Sequence, residues 1–180
     1  EIKDLILHNL STVLSDQNLA ESLSQEADKA GKTVGVHIKV DTGMGRLGVL
    51  PENLSPERIR QYKNLRIEAV STHFSSADEE DPGYTLLQLS RFNSALTQLK
   101  TAGVSTPLTH CANSAALLKF PQSWFNMVRP GLLLYGALPS PSLKPYSILR
   151  NDVRFQPVMQ LKSRIIQIKI RFKAISRGLF

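Results

Sequence analysis

Cysteine is nearly absent from this 180-residue chain: Cys111 stands alone, which rules out an internal disulfide and any cysteine-based zinc cluster. Its default reading is a small buried hydrophobe, in keeping with a reducing cytosol and a cytoplasmic protein. No apolar run approaches the length of a membrane span, and Glu1-Ile2-Lys3-Asp4 does not open like a secretory signal, so no membrane role is expected. An initiator methionine is lacking too, which points to something upstream, removed by processing or left out because the chain is a fragment. Acidic residues are missing from 162–180, where six basic groups gather: Lys162, Arg164, Lys169, Arg171, Lys173 and Arg177. They account for nearly all of the formal charge of +7, leaving sixteen basic against fifteen acidic groups in the rest. A nearly neutral body does not make a nucleic-acid surface.

With 42% hydrophobic residues the chain can bury a real core, and its length favours one domain. Strand-like apolar segments fall at 10–14, 34–40, 67–74, 107–110 and 125–128, with helical patterns between several of them. Such alternation predicts βα units on a parallel sheet. A first helix is expected over 16–30, capped by Ser15 or Asp16 and stopped by Gly31. The clearest one spans 84–101, where Leu86, Leu89, Phe92, Leu96 and Leu99 recur at helical spacing as ordinary core. Residues 139–145, with three prolines and two serines, read as an irregular surface loop. Beyond Val153 the pattern changes, and Ile166, Ile168, Ile170 and Phe172 alternate with Gln167, Lys169 and Arg171. This is the expected opening strand of another β-structured region, an exposed edge if it finds no partner.

The most informative stretch is His37-Ile-Lys-Val-Asp-Thr-Gly-Met-Gly-Arg-Leu-Gly48. Side chains alternate along a strand, so Val36, Ile38 and Val40 share an apolar face while His37, Lys39 and Asp41 share an ionisable one. Solvent alone would not call for the glycine-rich turn to Arg46 that follows, where backbone can approach a ligand closely. Lys39 either pairs with Asp41, or with another acid across a barrel, or belongs to a site; a buried lysine is rare enough to single out.

Four polar motifs fall just past expected strands: DTGMGRLG (41–48), THFSSAD (72–78), THCANSAA (109–116) and NMVRPGLLLYG (126–136). Binding sites of α/β folds form at the C-terminal ends of parallel strands, in a five-stranded open sheet or in much of a (β/α)8 barrel alike. Asn113-Ser114, at a strand-to-helix junction, reads in isolation as a plain helix cap. Arg129-Pro130-Gly131-Leu132 tips the balance towards an anion, since Arg129 adds a fixed positive charge and Gly131 can present backbone N–H to a phosphate. His73 and His110, each able to be a satisfied core histidine, suggest with Arg46 and Arg129 a network of charges held in place.

At these residues the chain resembles the pyridoxal-phosphate barrel domain of the bacterial alanine racemase family, with HIKVDTGMGRLG, THF.SAD, H.ANSAA and VRPG...YG in family order from about Leu10 to Ile168. The resemblance implies part of a (β/α)8 TIM-type barrel of fold type III over 1–158, then the start of a C-terminal β domain over 159–180. It implies pyridoxal 5'-phosphate as cofactor, alanine as the small amino-acid substrate, and L- to D-alanine isomerisation supplying the cell wall. Arg46 would contact the cofactor's phenolic oxygen, and Lys39 aligns with a lysine that is often carbamylated and then orients that arginine. Ser114 and the backbone of Gly131 and Leu132 would hold the phosphate, with Asn113 beside them. Arg129 would face the pyridine nitrogen, with His73 and His110 holding it in register. An arginine is too weak an acid to protonate the ring, which restrains transamination and favours simple reprotonation at the α-carbon.

The family's two bases, a Schiff-base lysine from the first barrel strand and a tyrosine from the partner subunit's β domain, are in neither segment of this sequence. The chain alone is therefore expected to be inactive, and the family's homodimer is doubtful for it; its ending reads as a truncation or frameshift. A related lyase or decarboxylase on the same barrel, or a non-catalytic cofactor-binding remnant, are the competing functions.

Overall fold

Four parallel strands lie side by side in chain order, β1 (Thr12–Leu14), β2 (Val34–Lys39), β3 (Leu65–Ser71) and β4 (Leu108–His110), in a computed structural model that describes residues 1–148 and 155–170. Sequential order is what a (β/α)8 barrel requires, whereas a doubly wound open sheet reverses direction part-way across. The connections carry α2 (Gln17–Lys29) after β1, α3 (Pro56–Gln61) after β2, α4 (Gly83–Thr101) after β3 and α5 (Ser114–Lys119) after β4. A short α1 (Ile2–Leu7) precedes β1, and α6 (Lys144–Ile148) closes the first described stretch.

The expected caps form. Asp16 accepts from the Leu19 N–H at the start of α2, and Gly31 leaves the helix with φ +61°. The apolar face of β1 and β2 (Leu14, Val34, Val36) packs on Ile6 of α1 and on Ala20, Leu23 and Ala27 of α2. Further along, Ile38, Val40 and Val70 pack on Leu89, Phe92, Ala95 and Leu99 of α4. Leu86, counted in the same stripe, is instead exposed at the margin of the contact. The opposite face of the sheet carries His37, Lys39, Ser71 and His110, so period two has sorted packing from chemistry.

Three expectations need correction. Residues 125–128 add no fifth strand. Phe125 turns with φ +46°, and the Asn126 side chain takes over the role of a ladder, accepting from Thr109 N–H (2.7 Å) and donating to the Pro107 carbonyl (2.8 Å). The 139–145 segment is not irregular: a 3-10 turn (Pro141–Leu143) runs into α6 and buries Leu143 completely, because Ser140 caps that turn through Ser142 N–H. Residues 161–170 carry no strand, and Leu161, Ile166, Ile168 and Ile170 are exposed, since alternation without a neighbouring ladder has nothing to pair with. Phe172 and the rest of that pattern lie outside the described residues. Just upstream, Val158 N–H donates to the Tyr135 carbonyl, and Gln156 passes so close to Gly136 that a Cβ there would meet its carbonyl.

Candidate functional site

The loop after β2 is built around one carboxylate. Oδ1 of Asp41 accepts from the N–H groups of Gly43 (3.0 Å), Met44 (2.8 Å) and Gly45 (3.1 Å). Burial pushes this carboxyl up, but the three donors outweigh it and hold the group below the usual carboxylate range. Backbone bonds from Asp41 N to Val49 O (2.9 Å) and from Val49 N to Lys39 O (2.8 Å) close the loop at its base. A Cβ on Gly48, at φ +127°, would strike the Asp41 nitrogen and the Lys39 carbonyl, so this closure demands glycine. Arg46 sits exposed on the loop, close enough to act electrostatically on Lys39 and His73.

Arg129 is the node of the site. Its Nη2 donates to the Thr72 carbonyl (2.8 Å) and to His73 Nδ1 (3.1 Å), and its Nη1 to the His110 carbonyl (3.2 Å) and, in a close contact, to His110 Nδ1. Its own N–H donates to Ala112 O at 2.9 Å. One guanidinium thus fastens the ends of β3 and β4 together. A guanidinium only donates, so both histidines must accept at Nδ1, which fixes them neutral with the proton on Nε2. Burial, then the Arg129 charge, lowers each of them to about 4, in agreement with that tautomer.

Lys39 does not take the ordinary option of pairing with Asp41. Among the described residues no carboxylate lies within ion-pair distance of Lys39, Arg46 or Arg129. Burial, reinforced by Arg129 and Arg46, lowers the Lys39 ammonium to about 8. Cys111, behind this cluster, donates to Ser123 O (3.1 Å) and is pushed up to about 12 by burial, so it is an inert core thiol as expected.

Beside Arg129, the N–H groups of Gly131 (2.8 Å) and Leu133 (3.4 Å) converge on Ser114 Oγ. Asn113, for its part, is a working helix cap: its Oδ1 accepts from Ala116 N–H (3.0 Å) and its Nδ2 donates to Phe74 O (3.4 Å). With α5 only six residues long, what gathers here is the Ser114 hydroxyl and the Gly131 and Leu133 N–H groups rather than a strong helix dipole.

Sequence reasoning overlooked the residues that tie the loops together. Gln88 of α4 is fully buried and bridges two motifs, its Oε1 accepting from Ser75 N–H (3.0 Å) and Ser75 Oγ (3.2 Å) and its Nε2 donating to His73 O (3.2 Å) and Thr42 Oγ1 (3.4 Å). Tyr84 and Arg91 flank it on the same helix, donating to Gly43 O (2.7 Å) and Thr42 O (3.0 Å), and the Thr42 and Thr72 hydroxyls pair at 2.8 Å. Tyr84, Gln88 and Arg91 recur at i, i+4 and i+7, a polar stripe beside the apolar one, and that spacing was the signal to read.

The chain is similar in sequence and fold to alanine racemases. A family profile described as "Alanine racemase, N-terminal domain" matches residues 1–139. The chain belongs to that family. An alanine racemase of Methanococcus maripaludis is 39% identical over 172 residues, covering 94% of this chain and 45% of its own length. The solved alanine racemase of Clostridium difficile 630 superposes with a TM-score of 0.81 at 32% identity, covering 93% of this chain and 46% of its own. A complex of that enzyme with cycloserine gives a TM-score of 0.78 at 30% identity, covering 87% and 42%. The chain spans about half the length of the alanine racemases it matches. No helix among the described residues is long and apolar enough to cross a membrane.

Proposed function

We propose that this chain is the cofactor-binding part of an alanine racemase that interconverts L- and D-alanine with pyridoxal 5'-phosphate in the cytoplasm. The observation that carries the reading is the set Lys39, Arg46 and Arg129: three cations at one end of the sheet with no carboxylate in ion-pair distance among the described residues, beside N–H donors gathered at Ser114. Such a donor set fits a dianionic phosphate and a phenolate on one rigid ring. Ser114 with the Gly131 and Leu132 backbone would hold the phosphate, Arg46 the phenolic oxygen, and Arg129 the ring nitrogen. When bound, the cofactor would supply an electron sink for the α-carbon of alanine.

What the chain's own residues contribute is orientation. Arg129 is held by four hydrogen bonds just past β3 and at the end of β4, so it would face the ring as a positioned donor that keeps its proton and withholds it from the ring nitrogen. His73 and His110, neutral and accepting, keep that guanidinium from turning. Lys39, lowered to about 8, presents a larger fraction of free amine than an ordinary lysine, which is what carbamylation by carbon dioxide needs; the resulting anion would steer Arg46. The two bases would come from a Schiff-base lysine and a partner-subunit tyrosine outside this sequence.

The test is cofactor binding by the 180-residue chain, followed by cofactor fluorescence. Pyridoxal 5'-phosphate should bind, unphosphorylated pyridoxal should bind at least about tenfold more weakly, the loss of roughly 1.4 kcal/mol, and inorganic phosphate should compete. Equal affinity for both pyridoxal forms, or no affinity for either, overturns the reading.

A further inference from the structure

On the sheet face that carries Lys39 and His110, further back from the C-terminal ends of the strands, lies a second polar group that the assigned site does not use: His37, Glu68, Ser11 and Arg66. Three local features place Glu68 there. The pairing of β2 with β3 slips by one residue, Val36 opposite Ile67 but His37 opposite Ala69, so Glu68 is the extra residue of a bulge. Gly35 leaves the space its carboxylate fills, since a Cβ on Gly35 would collide with the carboxyl group. Ser11 Oγ donates to Oε2 and Arg66 Nη2 to Oε1, both at 2.6 Å, which anchors the carboxylate and leaves Oε2 3.8 Å from His37 Nε2.

The tautomers then have one consistent direction. Arg129 donates to His110 Nδ1, so the His110 proton sits on Nε2, a buried nitrogen with no hydrogen-bond partner among the described residues. The ring next to it is His37, edge to face with centroids 5.8 Å apart. His37 Nε2 stands 3.8 Å from the Glu68 carboxylate, too far for a hydrogen bond but close enough for the negative charge to favour a proton on that nitrogen.

We propose that Glu68 and His37 are positioning residues for Arg129, in a chain of contacts running Arg129, His110, His37, Glu68: the carboxylate favours the Nε2-protonated form of His37, whose ring stands edge-on against His110 and so holds that imidazole, and through it the guanidinium, in place. This deepens the cofactor reading, because Arg129 is the group assigned to the ring nitrogen, but the chain of contacts stands without any cofactor. It therefore fails or holds independently of the fluorescence titration.

Histidine-ring nitrogen NMR of the cofactor-free chain near pH 8 is the test. His37 and His110 are expected with the proton on Nε2. In Glu68→Gln, and in Gly35→Ala, which keeps the carboxylate but displaces it, His37 should become a tautomer mixture and the Arg129 side-chain N–H groups should exchange about tenfold faster. Gly35→Ala meets only the far end of a flexible side chain, so it keeps the test readable even if Glu68→Gln fails to fold. An Nδ1-protonated His110, or variants whose His37 tautomer and Arg129 exchange match the parent, overturn the proposal.

Discussion

The two faces of β2 obey different physics. Val34, Val36 and Ile38 on one face are buried against helices, and any side chains of the right volume would serve that packing. His37 and Lys39 on the other face contribute little packing, and each depends on which atom it meets. One strand therefore carries a stability surface and a chemical surface, and substitutions should separate them.

The largest effect is expected on the packing side. Phe92 is fully buried and stands edge to face with Phe125, ring centroids 5.6 Å apart. Phe92→Ala should cost ~3–5 kcal/mol from lost burial and a cavity, read as a shifted denaturant midpoint. If the loss is under 1 kcal/mol, α4 is not holding this face.

The next effect belongs to the chemical face and follows pH. His73 and His110 are lowered from 6.5 to about 4 in the folded chain, so the unfolded chain binds more protons between those values. Their contribution is complete above pH 6.5 and is lost as pH falls through 6.5 towards 4. Over that window the pair should contribute on the order of 2–4 kcal/mol, since protonation removes both Nδ1 acceptors and places cations against Arg129. A His73→Gln, His110→Gln double variant should flatten the acid limb of the stability profile, and an unchanged limb would locate the acid sensitivity elsewhere.

These two faces also differ in how far they could be read from the sequence. Alternation and helical spacing announced β2, β3, α2 and α4, because burial imposes a period. The motifs singled out Ser114 and Arg129, which the fold brings side by side, and Arg46, which stands exposed on its loop, because glycine turns and fixed charges at strand ends stand out in a sequence. Gln88 escaped because one polar residue inside an amphipathic helix looks like surface until its partners are known, and they lie 13 to 46 residues away. The absent strand at 125–128 failed for the converse reason: a short apolar run says nothing about whether a side chain such as Asn126 has already claimed the neighbouring ladder.

Gln88 makes a sharper comparison, being a polar group on the packing side. Gln88→Leu keeps the volume but strands Ser75 N–H and His73 O, and should cost about 2 kcal/mol, with Gln88→Glu between it and the parent. Because Gln88 joins the loops of Arg46 and His73, the same variant should weaken pyridoxal 5'-phosphate binding by more than Phe92→Leu does. Equal weakening in the two variants would mean that Gln88 is ordinary core.

The smallest effect has the opposite sign. Lys39 is lowered from 10.5 to about 8, so in the folded chain its charged form is disfavoured, and between those values the unfolded chain again binds more protons. Stability from this group is lowest below pH 8 and recovers as pH rises towards 10.5. Lys39→Met removes the charge and keeps most of the stem, so at pH 7 it should stabilise the chain by about 1 kcal/mol, with solvent access at the strand ends and the nearby Asp41 moderating the gain. The gain should shrink as pH rises from 8 and vanish above pH 10.5, where the parent lysine becomes neutral in both states. A chemical surface is then recognisable as one that becomes more stable when its defining residue is removed. If Lys39→Met is destabilising at pH 7, the lysine is a structural part of the sheet, and the division between the two faces of β2 is less clean than the burial pattern implies.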